Sequence, residues 1–177
     1  MASLSGLIRR LPKPVVTGLQ DAIYPDLLPE GETAPEWHLQ SYDNSWHRMK
    51  NQWNILVFYP GDDTPGCTAQ LSSFKEQYAE IKAAGAEVYG INPAEAPSHR
   101  SFAEKFGFAF PILTDRGASV ARQFRCSLPI PGTPKVIRTV YLVNPERKIR
   151  LANRGAPSVA AILRSMLALQ QATKDGR

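Results

Sequence analysis

An apolar run that ends in a proline–glycine pair and leads directly into a helical pattern constrains the fold most. The run occupies residues 53–59, and its length of seven residues predicts a buried strand. Pro60-Gly61 ends the strand, and Cys67 follows. Beyond Cys67, apolar residues recur every three to four positions, at Leu71, Phe74, Tyr78 and Ile81. That spacing predicts an amphipathic helix that ends at Gly85.

Strand and helix patterns alternate along the rest of the chain. Further helices are predicted at 97–106, 117–124 and 157–170, and further strands at 86–91, 111–113, 136–143 and 148–152. A hairpin is predicted within residues 37–49, and its core is the expected place for Trp37 and Trp46. The alternation predicts the α/β class, as a sandwich with helices on both faces of a mixed sheet.

The chain has 177 residues, which fits a single domain. Residues 1–30 are expected to form an N-terminal extension, because they contain four prolines and show no sustained period. The domain is predicted to occupy residues 31–172, and residues 173–177 form a polar tail. The first 20 residues lack acidic side chains and weakly resemble an organelle transit peptide. The expected location is the cytoplasm, with an organelle as the alternative.

Composition excludes several kinds of protein. Two cysteines, Cys67 and Cys126, are too few for a disulfide-dense scaffold, and no Cys-x-x-Cys pair is present. The three histidines show no metal-binding spacing, so no metal and no cofactor are expected. No stretch approaches the roughly 20 apolar residues of a membrane span. The net charge of +5 lacks any accompanying nucleic-acid recognition motif, and a solvated basic face explains it better.

Cys67 is the residue most clearly suited to chemistry. It lies between a predicted strand and a predicted helix, in what should be the first turn of that helix. Unpaired backbone N–H groups and the positive end of the helix dipole favour a thiolate there, and the thiolate is the nucleophile. A lone cysteine is also often an inert buried side chain. Thr64, three residues earlier, can either bind a substrate oxygen or cap the helix.

The surrounding residues carry a family resemblance. Pro60-x-x-x-Thr64-x-x-Cys67 resembles the active-site motif of the peroxiredoxins. The fuller run from Phe58 to Thr68 is similar to the PrxQ, or bacterioferritin comigratory protein, subfamily. The resemblance extends over residues 31–169, and it includes Gly31-x-x-Ala34-Pro35, Leu113-Thr114-Asp115 and Arg138-Thr139-Val140-Tyr141-Leu142-Val143. It implies a thioredoxin-like fold and the reduction of hydrogen peroxide or organic hydroperoxides with electrons from a thiol donor.

The resemblance also implies roles for individual residues. Cys67 is the peroxidatic cysteine, Thr64 positions the peroxide oxygens, and Pro60 shields the thiolate from solvent. Arg138 supplies a guanidinium, although the residues alone would allow it to be one more base in a basic segment. A permanently charged planar donor suits the negative charge that develops on the leaving oxygen.

Two further residues are expected to support this site. The backbone N–H of Gly66 adds a donor beside that of Cys67. Gln70 lies three residues after Cys67 on the same side of the helix, and in the subfamily this position hydrogen-bonds the active-site arginine. From the residues alone, Gln70 could equally be an exposed helix residue.

The sequence departs from the subfamily in its resolving cysteine. The position five residues after Cys67 is Ser72, and residues 97–107 contain no cysteine. Cys126 is then either a buried structural thiol or a resolving partner, in the same chain or across a dimer. We favour a one-cysteine mechanism in which an external thiol recycles Cys67. That donor would be thioredoxin, glutaredoxin or a low-molecular-weight thiol, and the protein a monomer or a homodimer.

Three other functions compete with a thiol peroxidase. A redox sensor would keep the reactive Cys67 without turning over, and the missing resolving cysteine motivates this alternative. A basic nucleic-acid-binding module would show salt-dependent DNA retention. A glutathione-peroxidase-like enzyme shares only the lone cysteine.

Overall fold

Residues 24–128, 130, 132 and 135–176 are described by a computed structural model. Their strands are β1 (Leu39–Ser41), β2 (Trp46–His47), β3 (Trp53–Phe58), β4 (Ala86–Asn92), β5 (Ile112–Thr114), β6 (Thr139–Val143) and β7 (Ile149–Arg154). They form one sheet in the order β2-β1-β5-β4-β3-β6-β7. β3, β4 and β5 are parallel, and the other pairings are antiparallel. The predicted mixed sheet is therefore confirmed.

The α-helices of the described residues are α1 (Pro65–Glu76), α2 (Tyr78–Ala83), α3 (Ala96–Phe106), α4 (Ser119–Gln123) and α5 (Val159–Asp175). The single helix predicted to continue from Cys67 to Gly85 is wrong, because Gln77 leaves the helical region with φ −106° and ψ 11°. Just after the break, the Tyr78 hydroxyl donates to Glu87 Oε1 on β4 at 2.7 Å. The predicted single helix is thus divided into α1 and α2, and the apolar spacing alone does not show this break.

The sheet separates two apolar cores. Alternate residues of β3 point to opposite faces, as the strand period requires. Ile55 and Val57 face the core that contains α1, α2, α3 and α5, which we call the first face. Leu56 and Phe58 face the second core, which contains α4 and the segment from Leu28 to Leu39. The helices thus lie on both faces, as predicted.

The strand predicted at 136–143 begins three residues late. Val136 forms only an isolated bridge with Ser127, and β6 starts at Thr139. Arg138 is consequently the last residue before the strand, and its carbonyl accepts from Gly155 N at 2.9 Å. Since Thr139 pairs with Phe58, Arg138 lies at the end of the sheet that carries the loop after β3.

The chain before residue 31 already contacts the domain. Leu28 is buried, and its N–H donates to the Tyr141 hydroxyl at 3.1 Å. Gly31 N donates to the carbonyl of Ile149 at 2.8 Å. At the other end, α5 extends to Asp175. The segment expected to resemble a transit peptide, residues 1–20, lies outside the described residues.

The two hairpin tryptophans have different surroundings. Trp37 is buried and packs edge-on against Tyr89. Trp46 is 59% exposed and packs beside His38, so the expectation of a common core is wrong for Trp46. The reason is that β2 has two residues, lies at the edge of the sheet and pairs with β1 alone. Within the described part of the chain, no helix has the length and apolar character needed to cross a membrane.

Candidate active site

Cys67 lies in the first turn of α1, directly after the loop that leaves β3. Pro65 is the first helical residue and Cys67 the third. Proline fits this position because the first N–H groups of a helix have no partner within the helix. The N–H groups of Gly66 and Cys67 belong to that same unpaired set. The Cys67 side chain itself is fully buried on the first face of the sheet.

Arg138 reaches across from the start of β6 to the same turn of α1. Its Nη2 donates to Cys67 Sγ at 3.3 Å. Its Nη1 donates to Gln70 Oε1 at 2.5 Å and to the carbonyl of Gly66 at 3.3 Å. The guanidinium is therefore held by three groups of one helix turn, and its charge points at the sulfur. A cation at this distance stabilises negative charge that develops at the sulfur or on a group bound beside it.

Gln70 is a buried helix residue, only 4% exposed, so the alternative of an exposed position is wrong for it. Its side chain lies beside Cys67 because residues three apart share one side of a helix. As a neutral amide, it orients Arg138 without cancelling the guanidinium charge. The full positive charge stays available to the sulfur.

Pro60 and Thr64 lie on the exposed loop between β3 and α1. Thr64 occupies the residue before the helix, but its side chain makes no capping hydrogen bond. Its hydroxyl donates instead to the carbonyl of Gly61, at a long 3.4 Å. The oxygen thus keeps its acceptor capacity, and the hydroxyl is easily redirected to another partner. Thr64 therefore does not cap the helix through its side chain, which was the alternative role predicted from the sequence.

The same loop carries a buried carboxylate, Asp62. Its Oδ1 accepts from the Tyr59 hydroxyl at 2.8 Å and from Asn92 Nδ2 at 2.7 Å. Its Oδ2 accepts from Ser98 Oγ at 2.7 Å and from His99 Nδ1 at 2.8 Å. Burial by itself would raise the pKa of Asp62, but the hydrogen bonds and charge of His99, together with the other donors, lower it below its ordinary value. Asp62 is therefore an ionised, saturated acceptor.

Cys126 lies on the second face of the sheet, opposite Cys67. Its side chain is fully buried, and Sγ donates to the carbonyl of Phe124 at 3.1 Å. Burial raises the pKa of the Cys126 thiol to about 12. At neutral pH this group is a protonated thiol separated from Cys67 by the sheet. The structure does not bring the two cysteines together.

Residues 31–152 match the AhpC/TSA family, which is more than half of the chain. The chain belongs to the AhpC/TSA family. A chloroplastic peroxiredoxin Q from Triticum aestivum is 37% identical over 107 residues, which are 59% of this chain and 49% of that protein. The chain thus spans about half the length of the curated relatives that it matches.

Solved structures of this family share the fold. The peroxidoxin BcpB of Mycobacterium tuberculosis has a TM-score of 0.75 and 25% identity, over 80% of this chain and 97% of that one. A peroxiredoxin Q from Xanthomonas campestris has a TM-score of 0.67 and 27% identity, over 75% and 90% of the two chains. The resemblance to the PrxQ and bacterioferritin comigratory protein subfamily is confirmed, and so is the thioredoxin-like fold.

The hydrogen-bond partners of Asp62 were not predicted from the sequence. They come from three separate segments, since Asn92 ends β4 while Ser98 and His99 lie in the first turn of α3. One signal was available, because polar residues that follow parallel strands meet at one edge of the sheet. No group of three or more His, Cys, Asp or Glu side chains is arranged to hold a metal ion in the part of the chain that the structure covers.

Proposed function

We propose that this protein is a thiol-dependent peroxidase that reduces hydrogen peroxide or organic hydroperoxides at Cys67. The observation that carries the proposal is the 3.3 Å contact between Arg138 Nη2 and the sulfur of a buried cysteine in the first turn of a helix. A structural thiol needs neither a cation nor unpaired N–H groups around it. A nucleophilic thiolate is stabilised by either of them.

In the proposed reaction, the Cys67 thiolate attacks one oxygen of the peroxide. A sulfur–oxygen bond forms while the oxygen–oxygen bond breaks, so Cys67 becomes a sulfenic acid and the peroxide is reduced. The other oxygen leaves with the electron pair of the broken bond and, after taking a proton, becomes water or an alcohol. Arg138 and the N–H groups of Gly66 and Cys67 stabilise the negative charge as it develops.

The loop residues complete this proposal. The Thr64 hydroxyl, which makes only a long hydrogen bond to the Gly61 carbonyl, is free to bind a peroxide oxygen. Pro60 covers the approach to the sulfur and offers no N–H of its own. Together they restrict the approach to small, slender oxidants, which agrees with the complete burial of the Cys67 side chain.

We assign the recycling step to an external thiol. Cys126 is on the opposite face of the sheet, so it does not meet the Cys67 sulfenic acid in this fold. A donor thiol attacks the sulfenic acid, forms a mixed disulfide and releases water, and a second thiol then frees Cys67. The donor class is thioredoxin, glutaredoxin or a small thiol.

Intact mass spectrometry tests both steps. Wild type and Cys126→Ser are treated with one equivalent of hydrogen peroxide in the presence of a sulfenic-acid trap. We expect a trapped adduct on Cys67 in both proteins, and none in Cys67→Ser. A loss of two hydrogens in wild type that disappears in Cys126→Ser would instead make Cys126 the resolving residue. No oxidation of Cys67 by peroxide would contradict the proposed function itself.

A peroxide sensor is the second candidate, and the absence of cysteine at position 72 and at 97–107 favours it. Steady-state turnover separates it from the enzyme. A sensor becomes oxidised at Cys67 once, whereas a peroxidase consumes peroxide continuously when thioredoxin, glutaredoxin or glutathione is supplied.

We propose the cytoplasm as the location, with an organelle as the alternative outcome. The wheat relative is named as a chloroplastic protein. Fluorescence microscopy of the full chain fused at its C-terminus to a fluorescent protein, compared with the same fusion lacking residues 1–20, distinguishes the two. An organellar signal that depends on residues 1–20 would overturn the cytoplasmic proposal.

A further inference from the structure

We propose that Asp62 is a positioning residue for the peroxide step, which fixes the loop bearing Pro60 and Thr64 by accepting four hydrogen bonds. The inference rests on the proposed peroxidase function and adds a residue that the motif does not contain. Asp62 lies midway between Pro60 and Thr64, two residues from each. Any movement of its backbone therefore moves both.

The four donors lie in, or directly beside, two strands and one helix. Tyr59 directly follows β3, and Asn92 is the last residue of the parallel neighbour β4. Ser98 and His99 lie in the first turn of α3. The loop is thus fastened to two central strands and one helix through a single carboxylate. A carboxylate only accepts hydrogen bonds, so each of the four groups, including His99 Nδ1, donates.

Burial limits the access of water to these hydrogen bonds. The Asp62 side chain is 5% exposed and that of His99 is fully buried, so water reaches the carboxylate only beside the exposed Ser98. The Tyr59 hydroxyl is also buried, and burial followed by the Asp62 charge raises its pKa well above the ordinary value. Tyr59 therefore remains a donor. A buried, fully paired carboxylate holds its surroundings in one geometry.

Thr64 does not fix the loop by itself. Its side chain makes no capping hydrogen bond, and the hydrogen bond of its hydroxyl to the Gly61 carbonyl is 3.4 Å long. The proposed substrate-binding hydroxyl therefore takes its position from the backbone, which Asp62 anchors. In-line attack on an oxygen–oxygen bond requires that the reacting atoms be placed closely, and a displacement near 1 Å costs about a hundredfold in rate.

The neighbouring carboxylate provides a matched control. Asp63 is exposed and pairs with Lys105 Nζ at 2.7 Å on the outside of the loop. Its φ of 52° lies in the left-handed region, which asparagine also tolerates. Asp63→Asn consequently removes one negative charge from the same loop while leaving the buried hydrogen bonds intact. Any effect of loop charge alone appears in this variant.

The test compares two reactions of Cys67 in wild type, Asp62→Asn and Asp63→Asn. The first is the second-order rate of oxidation by hydrogen peroxide, and the second is the rate of alkylation by iodoacetamide, which needs the thiolate but no bound peroxide. We expect Asp62→Asn to lower the oxidation rate on the order of tenfold to a hundredfold. Its alkylation rate should stay unchanged or increase, and Asp63→Asn should match wild type in both reactions.

Milder variants keep the test decisive where Asp62→Asn folds poorly. Ser98→Ala and Tyr59→Phe each remove one of the four donors, and each should lower oxidation by a smaller factor without slowing alkylation. Equal oxidation rates in wild type, Asp62→Asn and Ser98→Ala would overturn the inference. A proportional loss of both reactions would also overturn it, because that pattern reports loss of the thiolate or of the fold. Failure of wild type to react with peroxide would overturn the proposed function together with this inference.

Discussion

Arg138 donates from Nη2 to Cys67 Sγ across 3.3 Å, although 71 positions separate the two residues in the chain. The other guanidinium nitrogen, Nη1, is held by Gln70 Oε1 at 2.5 Å. The cation is therefore oriented before any oxidant arrives. Preorganised charge of this kind acts without reorganisation at the moment of reaction.

Replacement of Arg138 should slow the oxidation of Cys67 by peroxide. We expect Arg138→Met to lower the second-order rate with hydrogen peroxide by about 10²–10³, the usual effect of removing one charge-stabilising donor. Arg138→Lys keeps the charge but loses the planar fork, and it should recover only part of this rate. Stopped-flow oxidation with equimolar protein and peroxide measures both. An unchanged rate in Arg138→Met would contradict the proposed role.

Gln70 should matter through its oxygen. Gln70→Leu removes the acceptor of Arg138 and should lower the oxidation rate on the order of tenfold, equivalent to about 1.4 kcal/mol from one hydrogen bond to a charged group. Gln70→Glu restores an acceptor at the same place but partly cancels the guanidinium charge, so its rate should lie between those of Gln70→Leu and wild type. The same stopped-flow assay measures the oxidation rates of both variants. If Gln70→Leu retained the full rate, Arg138 would need no anchor on α1.

Local sequence patterns predicted the strand, the loop and the helix that present Cys67. Residues 53–58 form a buried strand followed by a loop because the apolar run, which ends at Tyr59, stops at a residue pair that favours turns. The placement of Cys67 in the first helical turn followed from the same pattern. Only the resemblance to a known family singled out Arg138, since a surface base and an active-site base look alike in sequence.

Contacts between distant segments could not be read from the sequence. Asp62 meets Asn92 and His99 across 30 and 37 positions, and no periodicity links these residues. The break at Gln77 also escaped prediction, because the apolar spacing of residues 71–81 continues through it. The opposite placement of the two cysteines needed the register of the sheet. These features depend on how the helices and strands pack together, whereas a local sequence pattern predicts only which helices and strands form.

Gly90, on β4, should be required because a larger side chain there would collide with residues of β5 and of the segment just after β3. A Cβ at this position would lie 2.9 Å from Ile112 Cδ1 and 3.3 Å from Tyr59 Cε1. Both neighbours are buried, so Gly90→Ala should cost about 1–3 kcal/mol in the free energy of unfolding. Gly61→Ala, where no atom lies within 4 Å of the added Cβ, is the matched control. Urea unfolding followed by circular dichroism measures both, and equal stabilities would contradict the predicted clash.

Cys126 should make the stability of the protein depend on alkaline pH. Burial raises the pKa of its thiol from an ordinary 9.0 to about 12 in the folded state. Between these values the unfolded chain has lost a proton that the folded protein keeps, so the free energy of unfolding falls as pH rises. The thiol does not reduce the free energy of unfolding below pH 9. Above pH 9, the free energy of unfolding falls by an amount that approaches about 1.4 kcal/mol per pH unit.

Comparison of wild type with Cys126→Ala isolates this contribution. Four buried or half-buried tyrosines, Tyr59, Tyr78, Tyr89 and Tyr141, also have raised pKa values, and all are present in both proteins. Because Cys126 contributes to the raised pKa of Tyr141, the comparison is made below pH 10, where tyrosines stay largely protonated. At pH 7–8 the variant should be less stable by a constant amount, because its smaller side chain leaves a cavity. From pH 9 to 10 the difference should narrow, since only wild type has a thiol to ionise on unfolding. Urea unfolding at half-unit pH intervals measures the difference, and a gap that stays constant up to pH 10 would show that the folded protein does not raise the pKa of Cys126.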